Sequence, residues 1–599
     1  MKKLFYTLLL VPTLVLAQST DQNYVKSTTY KQATTTTVTN PDITTANVQV
    51  SYFDGLGRPI QQVAHKQSNS GKDIITHIEY DQYGRQTKEY LPYVSSSVSL
   101  NYLSSASSDL LNFYASPSLA TTGNPDFEAT ANPFSEKQLE NSPLNRVFKQ
   151  AAPGNPWAMG QGKEIKFDYQ TNGFEEVKYF KVTASWDASK GLYNPAIVQT
   201  SHYSENQLYK TITKDENWIS GNNNTTEEFK DKEGKVVLKR TYNSGDKYDT
   251  YYIYDQFGNL TYVIPPLAEG IASEDNLNYL GYQYKYDSRN RLVEKKLPGK
   301  QWEFIVYDKL DRPVATGPAF SPYGDQSIGW MITEYDVFGR VTQTGWKAMP
   351  VSETDRNSNQ TTINSGTNPF TLGTNDILTQ NFYDNYSFAG VPSTLPTPVE
   401  NQTLATNVKG MPTGSWVKVL DNATSSTAEV SYTLYDNKYR PIHTKTTNYL
   451  GGYTQVDTHL DWAGKTLYTL TKHKRTSSST ELVVKDMFEY TDQDRLTLHK
   501  QKINLLPEQL IAKNTYDELG QLISKNVGGE DATGGTSLQT VDYSYNIRGW
   551  LKAINDVNSI GADLFAFKIN GNVSDLVIHL FLEINNLKIN NYFKICNKK

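Results

Sequence analysis

The chain has 599 residues, of which 37% are hydrophobic and 12% aromatic, a composition that excludes wholesale disorder. Its 58 basic and 63 acidic residues give a net charge of −5, so the overall charge offers no electrostatic footprint for nucleic acid or an anionic membrane. The single cysteine, Cys596, excludes a disulfide framework and a cysteine-based zinc site.

The first residues have the three parts of a secretory signal peptide. Lys2 and Lys3 are basic, the run from Leu4 to Leu16 is apolar, and Ala17 suits a cleavage site, so residues 1–17 are predicted to be the signal peptide. A buried or membrane helix is the alternative, but the run is shorter than the roughly 20 residues that span a bilayer. We therefore expect an exported protein, secreted or at the cell surface, with no membrane span in the mature chain.

Composition then divides the chain into segments. Residues 18–48, rich in Thr and Ser, are expected to form an extended or weakly ordered lead-in. Residues 49–165 hold two repeat-like turns and a non-repeating stretch with some helical spacing from Leu100 to Tyr114. Repeats dominate residues 166–555, interrupted by polar insertions such as 350–380, where we expect a protease to cut.

A six-residue unit recurs along the chain. Tyr-Asp dipeptides occur nine times, and the best copies read aromatic-Asp-x-x-Gly-Arg, as in Tyr335 to Arg340. Where Gly is replaced, Asn290, Asp311 or Asp494 takes its place, and these residue types tolerate positive φ best. The pattern predicts a hairpin turn with a left-handed residue at a fixed offset and an Asp that bonds its own backbone. The structural turn residues are assigned as Asp54, Gly57, Asp81, Gly84, Asp255, Gly258, Asp336, Gly339, Asp517 and Gly520.

Two copies are irregular. Tyr439 occupies the Gly position of its unit, so that turn must bear strain or adopt another geometry. Asp492 is assigned as the acid of a further copy. The flanking residues alternate as in strands, with Tyr282, Tyr284 and Tyr286 on one face. Each copy is therefore interpreted as strand, turn and strand, and consecutive hairpins must stack into a long sheet because one hairpin cannot bury its apolar face alone.

The repeat pattern stops after Asn555, and residues 556–599 form an atypical tail rich in Asn, Ile, Leu and Lys. One interpretation is a short amphipathic helix from Asp575 to Leu587. The other is a disordered or frameshifted tail, because the composition matches an A+T-rich reading frame translated by accident. The residues leave both interpretations open.

The repeated unit resembles the YD repeats of the Rhs family, large secreted bacterial proteins related to the teneurins and to the shell component of insecticidal toxin complexes. The resemblance covers roughly residues 49–555. Tyr52 to Gln61 and Glu140 to Val147 resemble the N-terminal domain of unknown function that precedes such repeats in Bacteroidota. Tyr545 to Leu551 is similar to the segment that leads into the later repeats.

The resemblance implies an all-β dominated fold, in which a spiralling strip of YD-repeat β-hairpins forms a shell and a few short helices occupy the insertions. Family shells can enclose a C-terminal toxin that is released at Asp-Pro-x-x-Gly elements. This chain has no Asp-Pro dipeptide, and its resemblance stops near Phe567, before a core or toxin would begin. We therefore expect a truncated, partial and open shell whose final strands near Val541 to Tyr545 present an unpaired edge.

No catalytic, cofactor or metal site is assigned. The repeated acids come singly, whereas a calcium loop needs several oxygen ligands within about a dozen residues. The eight histidines include no pair at a metal-binding helical spacing. The predicted function is a secreted, non-enzymatic YD-repeat shell or scaffold in a cell-surface or toxin-delivery system, with a C-terminal toxin or cargo as partner in full-length relatives and no nucleic acid. The alternative is a surface adhesin that binds glycans through exposed repeat aromatics.

Overall fold

The computed structural model describes residues 22–116, 128–569, 575–584 and 587–596, the last two ranges for their backbone. The predicted signal peptide, residues 1–17, lies outside the described residues. Of the three α-helices in the described part of the chain, none combines the length and apolar character needed to cross a bilayer.

The N-terminal region forms a five-stranded antiparallel sheet. Its strands run β1-β2-β3-β4-β6, whereas β5 belongs to the second sheet. The bounds are β1 (Asn23–Tyr30), β2 (Ala46–Phe53), β3 (Pro59–Ala64), β4 (Ile74–His77), β5 (Lys88–Tyr90) and β6 (Tyr93–Val94). Helix α1 (Ala106–Ala115) follows, and it buries Leu110 and Tyr114 against Val50, Tyr52 and Val63 of the sheet. The boundary drawn at residue 48 falls inside β2.

The rest of the chain builds a sheet of 32 strands. Its first half comprises β7 (Phe134–Leu139), β8 (Val147–Ala151), β9 (Ile165–Thr171), β10 (Lys178–Asp187), β11 (Leu192–His202), β12 (Tyr209–Lys214), β13 (Thr225–Lys230), β14 (Val236–Asn243), β15 (Asp246–Tyr254), β16 (Leu260–Ile264), β17 (Tyr282–Tyr286), β18 (Leu292–Lys296), β19 (Trp302–Tyr307), β20 (Pro313–Phe320), β21 (Ile328–Tyr335) and β22 (Val341–Lys347). The second half comprises β23 (Ile377–Tyr383), β24 (Pro412–Lys418), β25 (Ala428–Tyr435), β26 (Pro441–Thr447), β27 (Gly451–Leu460), β28 (Thr466–Thr476), β29 (Leu482–Tyr490), β30 (Leu496–Ile503), β31 (Gln509–Tyr516), β32 (Leu522–Gly529), β33 (Gln539–Tyr545), β34 (Leu551–Ile554), β35 (Phe565–Ile569), β36 (Asp575–Ile584) and β37 (Leu587–Cys596). Short helices interrupt it at α2 (Glu274–Tyr279) and α3 (Glu353–Ser365), with 3-10 turns at Asn155–Trp157 and Pro266–Ala268.

From β12 to β37 each strand pairs antiparallel with the next, which makes the sheet a strip of consecutive hairpins. One pair departs from this order: β9 pairs with β12, so the β10–β11 hairpin lies outside the strand order of the strip. It contacts the strip where Tyr193 lies opposite Tyr286, where Gln256 bonds the backbone of Ala184, and where Phe180 packs with Tyr251. The prediction of an all-β dominated, open strip of hairpins with few short helices is confirmed. Register shifts beside the turns of the repeated unit, as between Glu334 and Tyr335, give these hairpins a bulge.

The two faces of the strip differ because insertions cover one of them. The segment with α3 packs Ile363 and Phe370 on Val306 and Trp330. A later insertion, 385–408, packs on Tyr432, Leu434 and Ile442. We call this side the covered face. The tyrosines of the Tyr-Asp dipeptides follow directly after such residues, as Tyr307 follows Val306, and so lie on the opposite face.

The insertion at 350–380, where cleavage by a protease was expected, contains helix α3. Arg356 is fully buried, and Gln360 and Ile363 are buried beside it. Gln360 also bonds the backbone of Tyr307 in both directions, accepting from its N–H at 3.0 Å and donating to its carbonyl at 2.9 Å. The helix therefore forms part of the packed structure, and the expectation of early cleavage there is withdrawn.

Two expectations about the C-terminal part are wrong. The segment from Val541 to Tyr545 is not an unpaired edge, because β33 pairs with β32 on one side and with β34 on the other. Pairing continues through β35 to β37. The segment from Asp575 to Leu587 is not a helix, since strand β36 occupies Asp575–Ile584. The hairpin pattern thus continues beyond the last recognisable Tyr-Asp unit.

Candidate functional site: the turn ladder and the seam

In the regular copies the repeated aspartate closes its own turn. Asp336 Oδ1 accepts hydrogen bonds from the backbone N–H groups of Phe338 and Arg340, each at 2.9 Å. Its Oδ2 accepts from Arg340 Nε at 2.6 Å, and the N–H of Gly339 donates to the Asp336 carbonyl at 3.1 Å. The same set recurs at Asp54, Asp81, Asp287, Asp308 and Asp436. In two further assigned copies another residue stands in the place of the arginine. Asn259 donates from its backbone N–H and its side-chain amide to Asp255, and the backbone N–H of Gln521 donates to Asp517.

The fourth position of each turn is left-handed. Gly57, Gly84, Gly258, Gly339 and Gly520 have φ of 77°, 76°, 85°, 82° and 90°. Asn290, Asp311 and Asp494 take the same conformation at 58°, 62° and 68°. Tyr439 keeps the turn with φ of 60°, so this copy carries the strain instead of changing its geometry.

The tyrosine of each unit is bonded to the turn before it. Tyr335 donates its hydroxyl to the carbonyl of Pro313, at 2.9 Å, and Pro313 is the residue after the preceding turn's Arg312. The same bond joins Tyr80 to Pro59, Tyr286 to Leu260, Tyr307 to Leu292, Tyr383 to Val341, Tyr516 to Leu496 and Tyr545 to Leu522. In the first copy of the unit, Phe53 replaces tyrosine.

The arginine of each unit contacts the turn after it. The guanidinium carbon of Arg312 lies 4.6 Å from the ring centroid of Tyr335, and Arg58 and Arg291 lie 4.3 Å and 4.8 Å from the next tyrosine ring. A Cβ added at Gly84 would come within 2.6 Å of Arg58 Nη1. Glycine is therefore needed there both for its φ and for the space that the preceding arginine fills. We call the repeated set of tyrosine, aspartate, glycine and arginine contacts the turn ladder.

The repeated aspartates, which are the acids in which a catalytic role could be sought, form part of the turn ladder. The backbone N–H of Arg58 and its guanidinium hold the pKa of the Asp54 carboxyl below its usual range, and Arg85 does the same for the pKa of Asp81. Both carboxylates are ionised and hydrogen-bonded within their own turn. An acid in this setting caps a turn and cannot act as a general acid near neutral pH.

A second feature, which the sequence did not indicate, is a contact between the N-terminal sheet and the turns at 490–495, 517–521 and 546–550. We call it the seam. Lys31 Nζ lies 3.0 Å from Asp494 Oδ2 and donates to the carbonyl of Asp492 at 2.5 Å. Ser70 Oγ donates to Glu518 Oε2 at 2.7 Å. The partners are hundreds of residues apart in sequence, so the strip curls back to its own beginning.

One irregular copy provides an anchor for the seam. The hydrogen bonds identify Thr491, not Asp492, as the residue that closes this turn: the N–H of Asp494 donates to the Thr491 carbonyl at 2.9 Å. Without an aspartate at this position, Arg495 has no partner inside the turn for its guanidinium. Arg495 instead donates from Nη2 to the carbonyl of Gln67 at 2.6 Å. A change of one turn residue thus redirects an arginine across the seam.

The seam also has an apolar part. Ile547 is buried in the same cluster as Tyr52 and Leu110 of the N-terminal region. Next to it, the guanidinium carbon of Arg548 lies 3.9 Å from the ring of Trp157. Polar anchors at one end and buried apolar side chains at the other make the seam a continuous interface.

A buried group of charges joins α3 to the β10–β11 hairpin. Arg356 Nε lies 3.3 Å from Glu294 Oε1, and Lys285 Nζ lies 2.9 Å from Glu294 and 3.0 Å from Glu353. Lys190 of the hairpin lies 2.7 Å from Glu353. Burial raises the pKa of Glu294 and lowers the pKa of Arg356, against the attraction of the opposite charges. Each charged side chain of the group has an oppositely charged partner, so the group holds α3 against the sheet and the β10–β11 hairpin. The described residues contain no group of three or more His, Cys, Asp or Glu side chains placed to hold a metal.

Comparison with known proteins gives a family match for the N-terminal region. Residues 26–171 match DUF6443, a domain of unknown function. No curated protein matches the chain.

Solved structures with a related arrangement include a TcdB2-TccC3-Cdc42 complex, 14% identical with a TM-score of 0.38, covering 92% of this chain and 26% of that chain. A Tc holotoxin pore of Photorhabdus luminescens is 13% identical with a TM-score of 0.32, covering 92% of this chain and 31% of that chain. The chain thus spans less than a third of the length of these proteins.

Proposed function

We propose that this chain is a secreted, non-enzymatic YD-repeat scaffold that forms part of a shell wall in a cell-surface or toxin-delivery system. The seam is the observation that carries the proposal. Lys31 and Asp492 are bonded although 461 positions separate them. A strip of hairpins whose late turns meet its own N-terminal sheet suits a wall that bends round a space, whereas a flat ribbon would hold its two ends apart.

The turn ladder supports a structural role for the repeats. Its tyrosine hydroxyls, carboxylates and guanidinium groups bond to one another and to backbone groups, which leaves them unsuited to bind and transform a substrate. Each turn holds the turn before it and the turn after it. A wall built in this way is stiff along its edge, and stiffness is what a container needs.

The resemblance of the repeats to the Rhs family, and of the N-terminal region to the domain that precedes such repeats in Bacteroidota, supplies the rest of the proposal. It suggests a C-terminal toxin or another polypeptide cargo as partner in full-length relatives. Export through the predicted signal peptide is part of the same proposal. Sequencing the N-terminus of the exported protein tests that part, and a mature chain beginning at Gln18 is expected.

Small-angle scattering of the mature chain tests the curled wall. The double variant Lys31→Ala with Arg495→Ala removes two polar anchors of the seam and is expected to enlarge the radius of gyration. Lys26→Ala with Arg475→Ala removes one lysine and one arginine outside the seam, and its scattering should match the unchanged protein. Scattering from the unchanged protein that fits a flat ribbon would contradict the proposal.

A glycan-binding adhesin is the second candidate, and the exposed aromatics of the turns favour it. Tyr83, Phe338 and Trp550 are 66%, 79% and 62% exposed. The tyrosines of the ladder do not serve this purpose, because their rings and hydroxyls are engaged. Binding to an immobilised glycan that is lost in Phe338→Ala, with closure of the seam unchanged, would favour adhesion over cargo enclosure.

A further inference from the structure

Lysines accumulate on one face of the later repeats, in the continuation of the covered face. They lie on β26 and on the four consecutive strands from β28 to β31, and within the described residues no insertion lies over most of them. We call this surface the lysine face, and its members are Lys445, Lys472, Lys474, Lys485, Lys500, Lys502 and Lys513.

The strand register puts these residues on one side. Residues directly opposite in antiparallel strands share a face, as do alternate residues of one strand. Leu434, on the covered face, lies opposite His443, which lies opposite Asp457. Asp457 lies opposite Leu470, and Leu470 opposite Lys485. The other lysines follow by the same steps.

Two of these lysines face each other. Lys485 lies directly opposite Lys502 in the β29–β30 pair, and like charges in this arrangement destabilise a sheet. Among the described residues only Lys500 of the seven has an acidic partner within ion-pair distance, Glu489 at 2.6 Å. Lys485 instead lies 4.2 Å from the centroid of the Tyr468 ring. The face therefore carries unneutralised positive charge in a protein whose net charge is negative.

The neighbouring part of the same face shows what can lie on it. The insertion at 385–408 packs on β25 and β26, and its tight turn at Val399–Gln402 reaches β27 and β28. Its Gln402 donates to the carbonyl of Thr458 at 2.7 Å, and Glu400 Oε2 accepts from the hydroxyl of Tyr468 at 2.9 Å. This cover ends at Tyr468, where the lysine face begins. The sheet therefore already accepts a polypeptide with a carboxylate at the border of the lysines.

We propose that the lysine face binds an acidic, extended segment of the polypeptide cargo. This inference rests on the proposed function and names the chemistry of what the wall would contact. Lysines on neighbouring strands are about 5 Å apart and alternate lysines of one strand about 7 Å apart. That spacing matches the side chains of an extended polypeptide with glutamate or aspartate at alternate positions. Charge complementarity of this kind sets specificity and the association rate.

A direct binding measurement tests the proposal. The probe is a fluorescent polyglutamate peptide of about 20 residues, with polyglutamine of the same length as the uncharged comparison. Lys485→Gln with Lys502→Gln should weaken polyglutamate binding roughly tenfold, because two lysines without an acidic partner are lost. The control, Lys239→Gln with Lys525→Gln, removes the same charge outside the lysine face and should leave binding unchanged.

Other results would overturn the inference. Equal binding of polyglutamate and polyglutamine, or equal effects of the two double variants, would show that the lysine face does not act. A single-stranded oligonucleotide that binds more tightly than polyglutamate, and is lost with Lys485 and Lys502, would assign the face to nucleic acid. If scattering confirms the curled wall but polyglutamate does not bind, this inference alone fails. If the wall is a flat ribbon, the proposed function fails whether or not the peptide binds.

Discussion

Gly520 offers a sharp test of the turn ladder, because it meets the residue that anchors the seam. Its φ of 90° disfavours any side chain, and a Cβ at this position would overlap the guanidinium of Arg495. Gly520→Ala must therefore bear the left-handed penalty and displace Arg495 from the carbonyl of Gln67. The left-handed penalty is about 1 to 2 kcal/mol. A charged hydrogen bond contributes about 1.5 to 3 kcal/mol more.

Gly339 provides the matched control. Its φ is 82°, but a Cβ there would lie 3.7 Å from Arg312, which is ordinary contact. Gly339→Ala should thus lose only the conformational part, about 1 to 2 kcal/mol. The comparison separates the strain of the turn from the loss of the ladder contact.

Hydrogen exchange measures the difference locally, which suits a long repeat protein that does not unfold in one step. Peptides covering residues 62–72 should exchange about 10- to 100-fold faster in Gly520→Ala, since each 1.4 kcal/mol is a factor of ten. The same peptides should be unaffected in Gly339→Ala. Equal protection of residues 62–72 in both variants would refute the idea that the space beside Gly520 holds the seam closed.

Three further outcomes are expected. Tyr307→Phe keeps the contact with the preceding arginine but loses the 2.7 Å hydrogen bond to the Leu292 carbonyl. It should destabilise its hairpin by about 1 kcal/mol, measured by local hydrogen exchange. Tyr83→Phe, a change at an exposed turn residue, should have no effect on the same measurement. The hydrogen bonds from Arg146 lower the pKa of Glu140 to about 2. The stability that this pair contributes is therefore complete above pH 4.5 and is lost as the pH falls towards 2. In a circular dichroism titration, Glu140→Gln should lack this acid-dependent loss of stability. Limited chymotrypsin should cut first at Leu505, which is 98% exposed, and early cleavage within α3 instead would contradict its packed position.

Local features of the fold were predictable because they depend on neighbours in sequence. The offset from Asp336 to Gly339 specifies a turn whichever repeat it belongs to, and alternation specifies the strands. The residue that closes the turn at 491 was misassigned, because Asp492 looks like the pattern while threonine performs the same hydrogen bonding. Short helices were expected in the insertions, but the position of the helix at 353–365 was not predicted, because its polar composition hides the few residues it buries.

Features that depend on accumulated curvature were not predictable. The bond from Arg495 to Gln67 requires the bend of every intervening hairpin, and no local pattern records that sum. The lysine face depends on the register of five strand pairs, including the bulges that shift it. The paired state of Val541 to Tyr545 depended on strands in a tail whose composition concealed them. The sequence therefore predicted the turns and strands but not the contact between the late turns and the N-terminal sheet.

The seam gives the chain a property that the turn ladder alone would not have, namely a fixed number of hairpins. Each contact of the turn ladder lies within one turn or joins two successive turns, so adding or removing one hairpin would leave the contacts of the other hairpins intact. It would, however, move Arg495 relative to Gln67 by two strand spacings, about 10 Å, and the seam contacts would be lost. The contacts of the seam therefore fix the number of hairpins between its two sides.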